Sequence, residues 1–151
     1  MIDETDRILL SALQHDARQS FTALGKRVGL TSPAVADRVR RMEDIGLISG
    51  YTLKINRQRL GWEITAMVRL TCPGEYYQAV HRLSQELVEV LECHHVTGED
   101  CFMIKMIARD MAHLEQVIAR FRGFGHSISS IVLSTNVEGK AIVPPPRAAH
   151  G

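Results

Sequence analysis

Apolar residues recur at helical spacing through the first third of the chain and at alternating spacing through most of the rest. Ile8, Leu9 and Leu13 form one stripe of a helix expected from about Asp3 to His15. Its early Asp3, Glu4 and Asp6 suit the positive end of the helix dipole. The stretch Asp16-Ala17-Arg18-Gln19-Ser20 reads as a connection, with Ser20 or Thr22 as cap of a second helix. Phe21, Leu24 and Val28 are expected to close the core of a three-helix unit. Gly29 supplies the permissive backbone that ends this helix, and Gly25 the small residue where two helices cross closely. Thr31 or Ser32 then offers an N-cap hydroxyl, and Pro33 falls in the first turn of a third helix, where a missing N–H costs little. Val35, Val39 and Met42 make that helix's inward stripe, and Gly46 ends it. Arg40 and Arg41 lie opposite, with Arg38 at the margin. A buried stripe behind an Arg-bearing face is the pattern of a helix-turn-helix recognition helix; the plainer alternative is a helical hairpin with solvated arginines.

The segment from Leu47 to Ile55 looks extended, rich in β-branched and aromatic residues. Asn56 to Gly61 reads as a hinge. From Trp62 the period changes: Ile64, Ala66, Val68 and Leu70 alternate with Thr65, Met67, Arg69 and Thr71, which is strand spacing. Cys72-Pro73-Gly74 breaks the strand, and a helix follows with Tyr76, Val80, Leu83 and Leu87 on one side. Strands are expected over Val90–Val96 and Cys101–Arg109, joined by the turn Gly98-Glu99-Asp100. A further helix carries Leu114, Val117, Ile118 and Phe121, and a last strand spans Ile128–Val137. The order β-α-β-β-α-β predicts an antiparallel four-stranded sheet with both helices on one face. On the other face Arg69 and Lys105 lie among apolar residues, so a second subunit is expected to cover it. The fold class is therefore α+β: a helix-turn-helix (winged-helix-like) domain with hinge over 1–61, a ferredoxin-like domain over 62–138, and a flexible tail over 139–151 containing Pro144-Pro145-Pro146.

Charge sharpens this division. The whole chain of 151 residues carries a formal net charge of only +1. Residues 1–61 hold 10 Lys/Arg against 7 Asp/Glu, whereas residues 62–151 hold 8 against 10. The positive excess thus sits with the helix-turn-helix, where it favours phosphate contact. No apolar run approaches a membrane span. The acidic start Met-Ile-Asp-Glu-Thr-Asp lacks the basic and apolar regions of a signal peptide, and three cysteines fit a reducing cytoplasm better than a disulfide framework.

Three segments of the first domain, Asp3-Glu4-Thr5-Asp6-Arg7-Ile8-Leu9, Ser32-Pro33-Ala34-Val35-Ala36-Asp37-Arg38-Val39 and Glu43-Asp44-Ile45-Gly46-Leu47-Ile48-Ser49-Gly50-Tyr51, resemble signatures of one family. So does Val96-Thr97-Gly98-Glu99-Asp100-Cys101-Phe102 of the second. Together with the domain order they make the chain, from about Ile2 to Glu138, similar to the Lrp/AsnC (feast/famine) transcriptional regulators. The resemblance implies dimers whose sheets face each other, often assembled into tetramers or octamers, and small amino-acid effectors bound at subunit contacts. The matching effector positions are Val96, Thr97, Gly98, Glu99, Asp100 and Cys101, with Leu133, Ser134 and Thr135 as possible partners from the last strand. Gly98 allows close backbone approach, free N–H groups can receive a carboxylate, and a nearby acid can receive an ammonium. Cys101 departs from the family pattern, which often has a second acid there; which of Glu99 and Asp100 would hold an amino group stays open, as does a plain Gly hairpin with solvated acids.

The expected partner of the first domain is double-stranded DNA. Thr31, Ser32, Pro33 and Ala34 open the recognition helix. Ser32, Ala34, Asp37 and Arg38 would face base edges, while Arg40, Arg41 and Lys54 would meet phosphates. Arg38 could read guanine through its fork, or brace the helix against the neighbours of Asp37 or Glu43. Cys93, His94, His95 and Cys101 invite a metal reading, but their spacing matches no strong zinc pattern and adjacent His94 and His95 point oppositely; packing is the expectation. No cofactor is expected. No phosphate loop, nucleophile elbow or catalytic carboxylate pair is present, so the expectation is a regulator and not an enzyme. Two rivals remain: an architectural DNA-bridging protein of the same fold without effector response, and an enzyme like the sirohaem decarboxylases, which share the two-domain plan.

Overall fold

The computed structural model describes residues 2–145, which fall into two compact units: residues 2–54 together with 137–145, and residues 55–136. In the first unit three helices follow one another, α1 (Glu4–His15), α2 (Phe21–Val28) and α3 (Ser32–Asp44). Asp3 caps α1 through a reciprocal capping box: its side chain accepts from the Asp6 amide at 2.8 Å, and the Asp6 carboxylate accepts from the Asp3 amide at 3.1 Å. Of the two hydroxyls available for α2, Ser20 is the cap, accepting from the Ala23 amide. For α3 the cap is Thr31, with Pro33 in the first turn.

Leu9, Ala12, Leu13, Leu24, Val35, Val39 and Met42 form the core of this unit. Ile8 and Phe21, expected to be inside, are instead 42% and 39% exposed. The stripe of α1 centres on Leu9, Ala12 and Leu13, the i, i+3, i+4 set, and Ile8 falls at its margin. Gly29 ends α2 with φ 69°, the left-handed value expected of a C-terminal glycine. Gly25 works through space: a Cβ there would collide with the Leu30 carbonyl of the turn, and would also meet Val35 Cγ2 at 3.6 Å. The close approach is thus chiefly between α2 and the turn leading into α3.

Beyond α3, the segment from Leu47 to Ile55 makes no strand pairing, contrary to its β-like composition. The first unit has no other strand for it to join, and a lone strand leaves its backbone groups unpaired. Residues 58–60 of the expected hinge form a single 3-10 turn belonging with the second unit. The described part of the tail returns to the first unit, where the Gln14 side chain accepts from the Ile142 amide at 2.8 Å and donates to the Ile142 carbonyl at 3.0 Å. The last proline of the tail, Pro146, lies outside the described residues.

The second unit runs β1 (Ile64–Thr71), α4 (Tyr77–Glu86), β2 (Val90–His95), β3 (Phe102–Ala108), α5 (Met111–Ala119) and β4 (His126–Ile131). The sheet order is β2-β3-β1-β4, antiparallel throughout. Ala66, Val68 and Leu70 of β1 and Phe102, Ile104 and Met106 of β3 pack with Val80, Leu83, Leu114, Val117 and Phe121, so both helices cover one face. The last strand begins and ends earlier than its apolar residues suggest, because His126 to Ile131 pair with Thr71 to Ala66 and the ladder stops there. Leu133 is 95% exposed beyond it. On the uncovered face Arg69 pairs across the sheet with Met103 and Ile128, and Met67 with Lys105 and Ser130.

Candidate nucleic-acid and ligand interfaces

On α3 the inward stripe is Val35, Val39 and Met42, all buried. One turn away from it, Pro33, Asp37, Arg40 and Arg41 are exposed, and Ser32, Ala34 and Arg38 are half-buried. Thr31 Oγ1 accepts from the Ala34 amide at 3.4 Å, which leaves the start of α3 ordered and facing outward. Arg40 and Asp37 are 70% and 77% exposed and lie 3.7 Å apart, a surface pair worth little to stability. Lys54 is exposed in the segment after α3.

Arg38 and Arg41 have a different setting. Asp6 of α1 is fully buried, and its two carboxylate oxygens are divided between them: Arg38 Nη1 donates to Oδ1 at 2.8 Å and Arg41 Nη2 to Oδ2 at 2.6 Å. Arg38 Nη1 also donates to Asp3 at 2.6 Å. The Arg38 guanidinium, with the Asp6 amide behind it, holds the Asp3 carboxyl below its usual range, and Asp3 and Asp6 raise Arg38 in turn. Arg38 is therefore a brace, and the acids it braces against are the N-cap and the first turn of α1. Glu43 is taken by the Tyr51 hydroxyl, which donates to it at 2.7 Å. Two arginines of α3 and one buried aspartate thus fix the angle at which α3 is presented.

In the second unit residues 96–101 join β2 to β3. The Val96 amide donates to the Cys101 carbonyl at 2.9 Å, closing the loop, and Gly98 turns it with φ 118°, a backbone region that favours glycine. The acids of this turn are not equivalent. Asp100 faces Arg69 at 3.4 Å and accepts from Thr71 Oγ1 at 3.4 Å, so it is already engaged on the uncovered side of the sheet. Glu99 is exposed; its carbonyl lies 3.5 Å from the same threonine hydroxyl. Thr97 and Gly98 are exposed and Val96 is half-buried.

Leu133, Ser134 and Thr135 do not join this turn within one chain. The turn leaves the sheet beside Leu70, whereas the chain after β4 leaves it beside Ala66, where the Val132 amide donates to the Thr65 carbonyl. These are opposite ends of β1. Among the four metal candidates, Cys93 and His95 share the covered face, opposite Ile104 and Phe102, and His94 lies on the other, opposite Met103. His95 packs edge-on to Tyr77 at 4.7 Å. Among the described residues no group of three or more His, Cys, Asp or Glu is placed to hold a metal ion.

Sequence reasoning missed the setting of Cys101. Its side chain lies among Tyr77 and Cys72: the Cys72 amide donates to Cys101 Sγ at 3.5 Å, Tyr77 Oη donates at 3.5 Å, and the thiol itself reaches the Cys72 carbonyl at 3.2 Å. The Cys72 amide and then the Tyr77 hydroxyl lower the Cys101 thiol, while burial and then Cys101 push Cys72 up. Nothing in the spacing of residues 72 and 101 signals this; it arises where the ends of β1 and β3 meet the start of α4.

Comparison with known proteins accounts for both units. Residues 2–43 match the AsnC-type helix-turn-helix domain, and residues 65–142 the Lrp/AsnC ligand binding domain. The HTH-type transcriptional regulator Rv2324 of Mycobacterium tuberculosis is 35% identical over 141 residues, covering 91% of this chain and 95% of its own. The solved structure of Bacillus subtilis LrpC aligns with a TM-score of 0.86 at 26% identity, over 93% of this chain and 99% of that one. The feast or famine regulatory protein of M. tuberculosis, solved in complex with L-methionine, aligns with a TM-score of 0.87 at 31% identity, over 95% of this chain and 100% of that one. Among the described residues no helix is long and apolar enough to cross a membrane. With one family domain on the three helices and the other on the sheet, the protein belongs to the Lrp/AsnC family of helix-turn-helix transcriptional regulators.

Proposed function

We propose that the protein is a cytoplasmic homo-oligomer that reads specific DNA sites with α3 and answers to a small amino acid. The observation that carries the DNA reading is the division of labour on α3. Arg38 and Arg41 are tied to Asp6, while Thr31, Ser32, Pro33, Ala34, Asp37 and Arg40 remain on the outward side. The opening residues and Asp37 meet base edges, and Arg40 and Lys54 meet phosphates. Arg38 and Arg41 act first by fixing α3, and the exposed edge of Arg41 adds a phosphate contact. The test is binding of the full chain to a fragment of its own promoter. Substituting Asp37 should change which base is preferred, whereas Arg40→Ala should weaken all sites and lower the salt slope by about one. An unchanged slope removes Arg40 from the interface.

The domain division we propose is a DNA reader over 1–61, an oligomerising and sensing domain over 62–138, and a tail after it. The sheet face carrying Met67, Arg69, Met103, Lys105 and Ile128 has no cover within its own unit, and a second copy would bury its apolar part. For the effector, the methionine complex of the mycobacterial relative favours an amino acid. In this chain Glu99 is the acid left exposed by the turn, and we assign it the effector's ammonium; backbone amides of residues 97–100, between the Val96 and Cys101 amides that are already hydrogen-bonded, take the carboxylate. Leu133, Ser134 and Thr135 would complete the site from another subunit, since one chain holds them at the far end of its sheet. An effector bound there shifts the spacing between DNA-reading units and so the affinity for paired sites.

A further inference from the structure

The side chains of Cys72 and Cys101 form a cluster of reactive groups that neither the DNA reading nor the ammonium contact uses. We propose that Cys101 is a site of peroxide oxidation and that Cys72 resolves it, giving an intramolecular Cys72–Cys101 disulfide. Three observations place the two residues in these roles. Cys101 Sγ lies against the Cys72 backbone, 3.5 Å from its nitrogen and 3.2 Å from its carbonyl oxygen, and the Cys72 sulfur is only two bonds from its own Cα, so a side-chain rotation brings the two sulfurs toward one another. Cys101 is only partly buried and so within reach of a small oxidant, whereas Cys72 is 7% exposed and shielded from direct attack. Finally, the Cys72 amide and the Tyr77 hydroxyl both donate to the Cys101 sulfur, which favours its thiolate over the thiol. Cys93, by contrast, pairs with Ile104 and packs against the apolar core, and is not the reactive thiol.

The oxidant is a hydroperoxide. The Cys101 thiolate attacks the peroxide oxygen, the O–O bond breaks, and Cys101 becomes a sulfenic acid as the second oxygen leaves as water or an alcohol after taking up a proton. The Cys72 thiol then attacks the Cys101 sulfur; the S–O bond breaks, hydroxide leaves, and it takes the Cys72 proton to form a second water. Two thiols have been oxidised and one peroxide reduced. The resulting bond ties the end of the 96–101 turn to the end of β1, beyond the existing Cys101 amide bond to the Leu70 carbonyl. This assignment stands whether or not the turn binds an amino acid.

The test starts with the reduced full-length protein, treated with an equivalent of hydrogen peroxide, denatured in the presence of an alkylating agent and mapped by mass spectrometry. The expected product has Cys93 alkylated, Cys72 joined to Cys101 within one chain, and all three alkylated again after dithiothreitol. A disulfide involving Cys93, a link between chains, or Cys101 driven to sulfinic acid with Cys72 still free would each overturn the assignment, as would three alkylated cysteines. Because Cys72 is in the core, a second measurement needs no change there: in Tyr77→Phe the pH profile of Cys101 alkylation should move to higher pH. An unmoved profile with native circular dichroism would contradict the role given to Tyr77 and with it the activation of Cys101.

Discussion

Asp6 and Arg38, thirty-two positions apart, meet at 2.8 Å with the carboxylate fully buried. Arg41 takes the other oxygen of the same group, so a single acid in α1 holds two arginines of α3. A buried charge that loses its partners is left uncompensated, and the reverse loss leaves two cations without their shared counter-charge. Because the arginines left behind reach solvent and Arg38 keeps Asp3, we expect Asp6→Ala to cost about 1–3 kcal/mol in urea unfolding of the full chain, the scale of lost charge-assisted hydrogen bonds. Arg40→Ala, whose partner Asp37 is in solvent, should change stability by less than about 0.5 kcal/mol. Equal effects of the two substitutions would contradict the distinction between brace and contact.

Gly25→Ala should destabilise the first unit by about 1–3 kcal/mol, because the added methyl group meets the Leu30 carbonyl, a backbone atom that cannot rotate away. Gly29→Ala meets no atom but carries the strain of φ 69°. Thermal melts of the two variants, with no loss in the Gly25 variant as the contrary result, decide whether the α2–α3 turn is as tight as described.

Alkaline titration tests the contact between Tyr51 and Glu43. Burial, and then Glu43, push the Tyr51 phenol from 10.0 up to about 12. Unfolding in that interval releases a proton that the folded chain keeps, so the stabilisation is complete below pH 10.0 and is lost as the pH rises through about 12. Tyr51→Phe should lack this part of the alkaline decline and, with the hydroxyl near the surface, should cost about 1 kcal/mol at neutral pH. Parallel pH curves for the two proteins would contradict it.

Calorimetric titration with methionine, the amino acid held by the mycobacterial relative, tests the proposed effector site and the unequal roles of its two acids. Glu99→Gln should weaken it by about tenfold or more, the scale of a hydrogen bond to a charged group. Asp100→Asn should act mainly through the turn, by loosening Arg69 and Thr71. Full affinity in Glu99→Gln would remove the ammonium contact assigned to that residue.

What could be read from the sequence was local. The cap at Thr31 or Ser32 (Thr31 in the structure), the stop at Gly29, the inward stripe Val35-Val39-Met42 and the alternation over β1 each depend on residues within a few positions of one another, and each is present. The order of elements followed from these, and so did the antiparallel sheet with both helices on one face. What could not be read depends on distant pairing. Arg38 and Arg41 look like a solvated basic face until Asp6 is placed beneath them. Leu47 to Ile55 has strand-like residues but no strand to join, and β4 is built on His126, Ser127, Ser129 and Ser130, which carry little apolar signal. The meeting of Cys72 and Cys101 arises just beyond the paired ends of β1 and β3, where the two chains are brought side by side.

The most direct test of the central claim is a competition experiment with the full chain at several salt concentrations, between a fragment of its own promoter and a scrambled fragment of equal length. The promoter should be preferred by about a thousandfold or more, and Asp37 substitution should erode the preference while leaving the fold intact. Binding of both fragments alike, with the same steep salt dependence, would contradict sequence reading by α3 and point to an architectural DNA binder.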